Sequence, residues 1–158
     1  MGGFDSHTPP PNRNFRFWIF DFGLQLELRV MTESEFKERT KGIALRIIKL
    51  VQSLPKNWIA ETIGKQLLRS GTSIGANYRA ACRAKSTADI INKLAIVEEE
   101  ADESMFWIDL LIESEIVPQT KLEKLYNDIN EIVAMTVSSI RTLKSKNLKS
   151  KIPDPKSR

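Results

Sequence analysis

The sequence predicts an all-α protein, an antiparallel up-down-up-down four-helix bundle. Three observations predict it. Apolar residues recur three, four or seven apart through four successive segments, the spacing that lines one helix face. Capping residues stand at the head of these segments, and Pro follows the end of two of them. The connections are a few residues long, which makes consecutive helices antiparallel neighbours.

Residues 1–30 do not share this pattern. MGGFDSHTPPPNRN is polar and rich in helix breakers, and FRFWIFDFGLQLELRV alternates roughly apolar and polar like a strand. The stretch is too short and too interrupted by charge for a membrane span, and it makes a poor signal peptide. Met31 then opens MTESEFKERT, which reads as a natural start. Residues 1–30 are therefore expected to be an unstructured or spurious extension, with a β-ribbon arm as the competing reading.

The first helix opens on a capping box, Thr32 with Glu35, in which each side chain satisfies the other's free backbone amide. Its stripe is Phe36, Ile43, Ile47, Leu50 and Leu54, and Pro55 stops it by disfavouring helix at Leu54. Asn57 caps the second helix, whose stripe is Ile63, Leu67, Ile74, Tyr78 and Ala81. Ser86 with Asp89 opens the third, which carries Ile90, Leu94, Val97, Ala101, Ile108 and Leu111 and ends at Val117-Pro118. A further capping box, Thr120 with Glu123, starts the fourth, striped by Leu122, Leu125, Ile129, Ile132, Thr136, Ile140 and Leu143. The bundle takes residues 31–146, and the basic run 147–158, which has no stripe, reads as a disordered tail.

At 158 residues the chain suits one domain with a real core. Its composition narrows the chemistry. With a single cysteine, Cys82, there is no internal disulfide, which fits a reducing, cytoplasmic setting. With a single histidine, His7, no His-rich zinc site can be built within one chain, and its place in the Pro-rich start argues against a Ser–His or Cys–His pair. No cofactor is called for.

Charge is unevenly spread. Residues 56–85 carry six Lys or Arg against one acid, residues 86–117 nine acids against Lys93, and residues 141–158 seven basic residues against Asp154. Such blocks either pair with each other or offer a surface to polyanions. The candidate nucleic-acid contacts are Lys65, Arg69, Arg79, Arg83 and Lys85, with Arg141 and Lys144 further on; Arg79 and Arg83 lie one turn apart on one face. Contacts of this kind hold phosphates without reading bases.

The run SGTSIGANYRAACRAKS (70–86) poses a choice between a ligand loop and a helix of small residues. A phosphate loop needs a Lys after its last Gly and a strand before its first, and both are missing. Gly71 and Gly75, four apart, instead share a face, and with Ser70 and Ser73 beside them they make a groove that a neighbouring helix can approach closely. Asn77 falls near the seam and is expected to bond a backbone group of the adjacent helix.

The acidic run Glu98–Ser104 invites a di-metal reading, but that design uses Glu-x-x-His pairs and no histidine follows these acids. Glu99, Asp102 and Glu103 are expected instead to meet Arg69, Arg79 or Arg83, within the chain or across subunits. The adjacent aromatics Phe106 and Trp107 cannot both face one stripe, so one is partly outside. With Glu99 and Glu103 they form the candidate subunit interface.

Taken together, LLRSGTSIGANYRAA, KSTADIINKLAIVEEEADESMFWIDLL and the capped helix after VPQT resemble the bacterial four-helix-bundle family named after the protein encoded in the intervening sequence of 23S rRNA genes. The resemblance covers nearly all of residues 33–145, and its most specific part is Ser73-Ile74-x-x-Asn77. Many members continue with Ile-Ala-Glu-Gly, where this chain has Tyr78-Arg79-Ala80-Ala81, so a role tied to that acid does not carry over. The family is similar to the accessory proteins of diversity-generating retroelements. That likeness implies a homopentameric ring without catalysis, contacting RNA or DNA and a protein partner such as a reverse transcriptase. The residues leave one other non-enzymatic reading, a protein-interaction scaffold whose charged faces pair across subunits.

Overall fold

The computed structural model describes residues 31–150. They form four helices: α1 (Glu33–Ser53), α2 (Trp58–Ala81), α3 (Thr87–Glu113) and α4 (Gln119–Ser150), with no strand among the described residues. The expected extension over 1–30, and the tail beyond residue 150, lie outside the described residues.

Local chemistry sets the helix starts. Thr32 is extended, its hydroxyl accepts the Glu35 amide at 3.2 Å, and the Glu35 carboxylate accepts the Thr32 amide at 2.8 Å. Asn57 accepts from the Ala60 amide at 3.0 Å and Ser86 from the Asp89 amide at 3.1 Å. The Thr120 capping box differs from expectation. α4 starts one residue earlier, at Gln119, and the Pro118 carbonyl accepts the Lys121 amide at 3.0 Å, so Thr120 is already helical. α4 also continues to Ser150, past the boundary drawn at 146, since the first breaker on that path is Pro153.

The turn from α3 to α4 is a Schellman motif. The Glu115 amide donates to the Ile112 carbonyl at 2.9 Å and the Ile116 amide to the Leu111 carbonyl at 3.0 Å. This places Glu115 in the left-handed region at φ 58, a position that suits Gly.

The apolar stripes meet in the interior. Ile43, Ile47, Leu67, Ile74, Val97, Ile108, Leu111, Ile129 and Ile132 are fully buried there. At the α1–α2 seam the helices approach closely. A Cβ on Gly71 would collide with the end of the Ile47 side chain and sit 3.3 Å from its Cγ1 and Cγ2; one on Gly75 would lie 3.3 Å from the Thr40 hydroxyl. One on Gly64 would lie 3.0 Å from Leu54. Along the seam, residue numbers fall in α1 as they rise in α2. Between α2 and α3 the buried hydroxyls of Ser70 and Ser104 hydrogen-bond at 2.9 Å. Between α3 and α4, Tyr126 donates to Asp109 at 3.4 Å. The α1–α4 contact is much the slightest between neighbours. Ion pairs bridge it, Arg39 with Glu131 and Arg46 with Asp128.

Gly71→Ala is expected to lower stability by about 1–3 kcal/mol, because overpacking against Ile47 outweighs the helix propensity gained. Gly42→Ala, where a Cβ meets nothing within 4 Å, is expected to raise it by up to ~1 kcal/mol. Urea midpoints moving in opposite directions would check the pair. Relief of the left-handed Glu115 by Glu115→Gly is expected to add about 1 kcal/mol, seen as a midpoint shift at unchanged m-value.

Candidate nucleic-acid interface

One end of the bundle is assembled from three helices. Ala81 of α2, Leu94 of α3 and Ile140 of α4 form a buried cluster, on which Tyr78, Ile90, Ile91 and Leu143 pack. Phe36 of α1 stacks on Tyr78 with ring centroids 4.0 Å apart, bringing the start of α1 to the same end. Because Ala81 and Ile140 meet here, Arg79, Arg83 and Lys85 from the close of α2 share this end with Arg141 and Lys144 of α4. All five are exposed, and no carboxylate among the described residues is ion-paired with them. The acids at the start of α1 are engaged locally: Glu33 with Lys37, Glu38 with Lys41, and Glu35 in the cap.

The remaining two basic residues stand elsewhere. Lys65 is exposed on α2, fourteen residues before Arg79, or about 21 Å along the axis. Arg69 forms hydrogen-bonded ion pairs with Glu100, at 3.2 Å, and with Glu103. The Glu103 carboxylate also accepts the Trp107 indole N–H at 2.9 Å. Arg69 first, and the indole second, hold Glu103 below the usual carboxylate range, while Glu103 raises the Arg69 guanidinium further still. Arg69 therefore answers the acidic helix rather than joining the basic end.

The packing residues lie where two helices close. Gly71 and Ile74 are buried, Gly75 faces Thr40, and Ser73 is half-buried. Asn77 corrects the expectation of a bond across to the next helix. Its amide donates to the Ser73 carbonyl at 3.0 Å, one turn back in its own helix, the nearest backbone acceptor within its reach.

The four candidate interface residues divide between two faces. Glu103 and half-buried Trp107 turn toward Arg69 on α2. Phe106 is 52% exposed, edge-on to Trp107 at 5.0 Å, and shares the outer face of α3 with exposed Glu99 and Asp102. Two features escaped the sequence reading. Glu100 rather than Glu99 meets Arg69, a choice set by the neighbouring helix. An open groove with a cationic rim also lies on the α1–α4 seam, and its only sequence signal is Arg46 and Lys49 flanking the stripe beside Leu50.

Of the other perturbed groups, Tyr78 and Cys82 lie at the basic end, and Asp109 with Tyr126 between α3 and α4. Burial pushes up the Cys82 thiol and the Tyr78 phenol. Burial also raises Asp109, and it pushes its hydrogen-bond donor Tyr126 up to about 12. Among the described residues, no group of three or more His, Cys, Asp or Glu side chains is placed to hold a metal ion. No helix among them is long and apolar enough to cross a membrane.

Residues 32–138 match the family described as 23S rRNA-intervening sequence protein. A crystal structure of a protein of unknown function from the S23 ribosomal protein family of Bacteroides thetaiotaomicron is similar over 69% of this chain and 97% of that one, at 40% identity and a TM-score of 0.65. No curated protein matches. The matched span runs from the Thr32 cap past the middle of α4, and the chain belongs to the 23S rRNA-intervening sequence protein family.

Proposed function

We propose that the chain is a non-catalytic accessory protein that self-assembles and grips the phosphates of RNA or DNA with the basic end of the bundle. The observation that carries this reading is the gathering of Arg79, Arg83, Lys85, Arg141 and Lys144 at one end, without paired acids among the described residues. Cations left unpaired on a rigid end can replace the counterions of a phosphate backbone, which gives affinity without sequence readout. The family's name, tied to an rRNA gene insertion, is in keeping with a nucleic-acid setting. The resemblance to retroelement accessory proteins adds a ring of five, a cytoplasmic location and a polymerase such as a reverse transcriptase as protein partner.

A second reading is a scaffold that binds only proteins. The pairing of Arg69 with Glu100 and Glu103 favours it, since it shows how the acidic helix can neutralise cations.

The test is binding of the full chain to labelled single-stranded RNA, structured RNA and duplex DNA over a range of salt, with oligomer mass measured on the same samples. Binding is expected to weaken as salt rises. Arg79→Ala/Arg83→Ala is expected to lower the salt slope on duplex DNA by about 2, from two lost phosphate contacts. Lys65→Ala, at the far side, is expected to leave the slope unchanged. An oligomer that binds none of these at low salt would leave the scaffold reading.

A further inference from the structure

The slight α1–α4 seam opens, toward the Ser53 and Gln119 ends of its helices, into a groove of about 520 Å³. Leu50, Leu122 and Leu125 line it, and Arg46, Lys49 and Lys121 stand around it. Lys49 and Lys121 are exposed, with no ion pair among the described residues. A groove with an apolar floor and a cationic rim fits a helix that presents an apolar side chain between acids.

The chain carries such a helix. The buried residues of α3, Val97, Ala101, Ser104 and Ile108, point into the bundle. Directly opposite run Glu99, Asp102, Phe106 and Glu113, all exposed and spaced three, four and seven apart. Neither Glu99 nor Asp102 is ion-paired among the described residues.

We infer that this acidic-aromatic ridge of α3 docks into the α1–α4 groove of a second copy of the chain, Phe106 entering the groove while Glu99 and Asp102 meet Lys49 and Lys121. The inference rests on the self-assembly in the proposed function and assigns its contact. The basic end also attracts acids, but its apolar cluster is covered by Tyr78, Ile90 and Leu143. Ridge and groove are different surfaces of one subunit, so their pairing is head-to-tail and repeats around a ring or along a filament. It leaves Arg79, Arg83, Arg141 and Lys144 uncovered.

A head-to-tail contact has a diagnostic test. Phe106→Arg damages only the ridge, and Lys49→Glu/Lys121→Glu damages only the groove. Each variant is expected to keep its helical circular dichroism and sediment as a monomer, and an equimolar mixture is expected to form a one-to-one dimer through the single intact pair of surfaces. In the unaltered chain, carbodiimide cross-links are expected to join Lys49 or Lys121 to Glu99 or Asp102 of a different copy, distinguished by mixing isotope-labelled and unlabelled protein. Variants that stay oligomeric, or cross-links that avoid these residues, would overturn the contact and leave self-assembly standing. A monomeric unaltered chain would overturn both. Binding of nucleic acid, read separately through Arg79 and Arg83, reports on the proposed function alone.

Discussion

The architecture depends on the close approach of α1 and α2, where Ile47 fills the space left by the missing side chain of Gly71. Interiors this dense have little room for an added methyl group, so one at position 71 would force Ile47 to move. With Gly75 against Thr40 and Gly64 against Leu54, the same seam fixes the axial register of the two helices over their shared length. The Ser70–Ser104 bond fixes α3 against α2, and the Ala81, Leu94 and Ile140 cluster fixes α4 against both. The cations of α2 and α4 share one end because these registers agree. The glycines contribute to the site without touching it.

Register also sorts the acids. α3 turns Glu100 and Glu103 toward Arg69 and leaves Glu99, Asp102 and Glu113 on the outside. Pairs as exposed as those of Arg69 contribute little to stability, on the order of 0–1 kcal/mol each. Their effect is to choose which charges remain visible to a partner. Among the described residues, the bundle offers an acidic ridge on α3, a cationic groove on the α1–α4 seam and a basic end.

The helices and their buried faces were legible in the sequence because both are local. A stripe such as Leu122, Leu125, Ile129 and Ile132 faces inward whatever its neighbour is, and Thr32 with Glu35 caps a helix without help from elsewhere. What could not be read is what depends on a neighbour. The sequence offers Glu99, Glu100 and Glu103 as equivalent acids, and only the placement of Arg69 on α2 selects between them. Asn77 had acceptors on two helices within prospect, and the one in its own helix required no movement. The α1–α4 groove had almost no sequence signal, since an unclosed seam follows from how four stripes share one core.

The two uncompensated surfaces answer to salt in different ways. On the proposed function, the cations of the basic end hold phosphates through counterion release, a grip that falls steeply with ionic strength. The groove combines its cations with Leu50, Leu122 and Leu125, so on the inferred contact burial of Phe106 adds an apolar term that salt screening does not weaken. On that reading, a subunit contact of mixed character persists in salt that releases nucleic acid. An assembly built this way keeps its shape while its cargo exchanges.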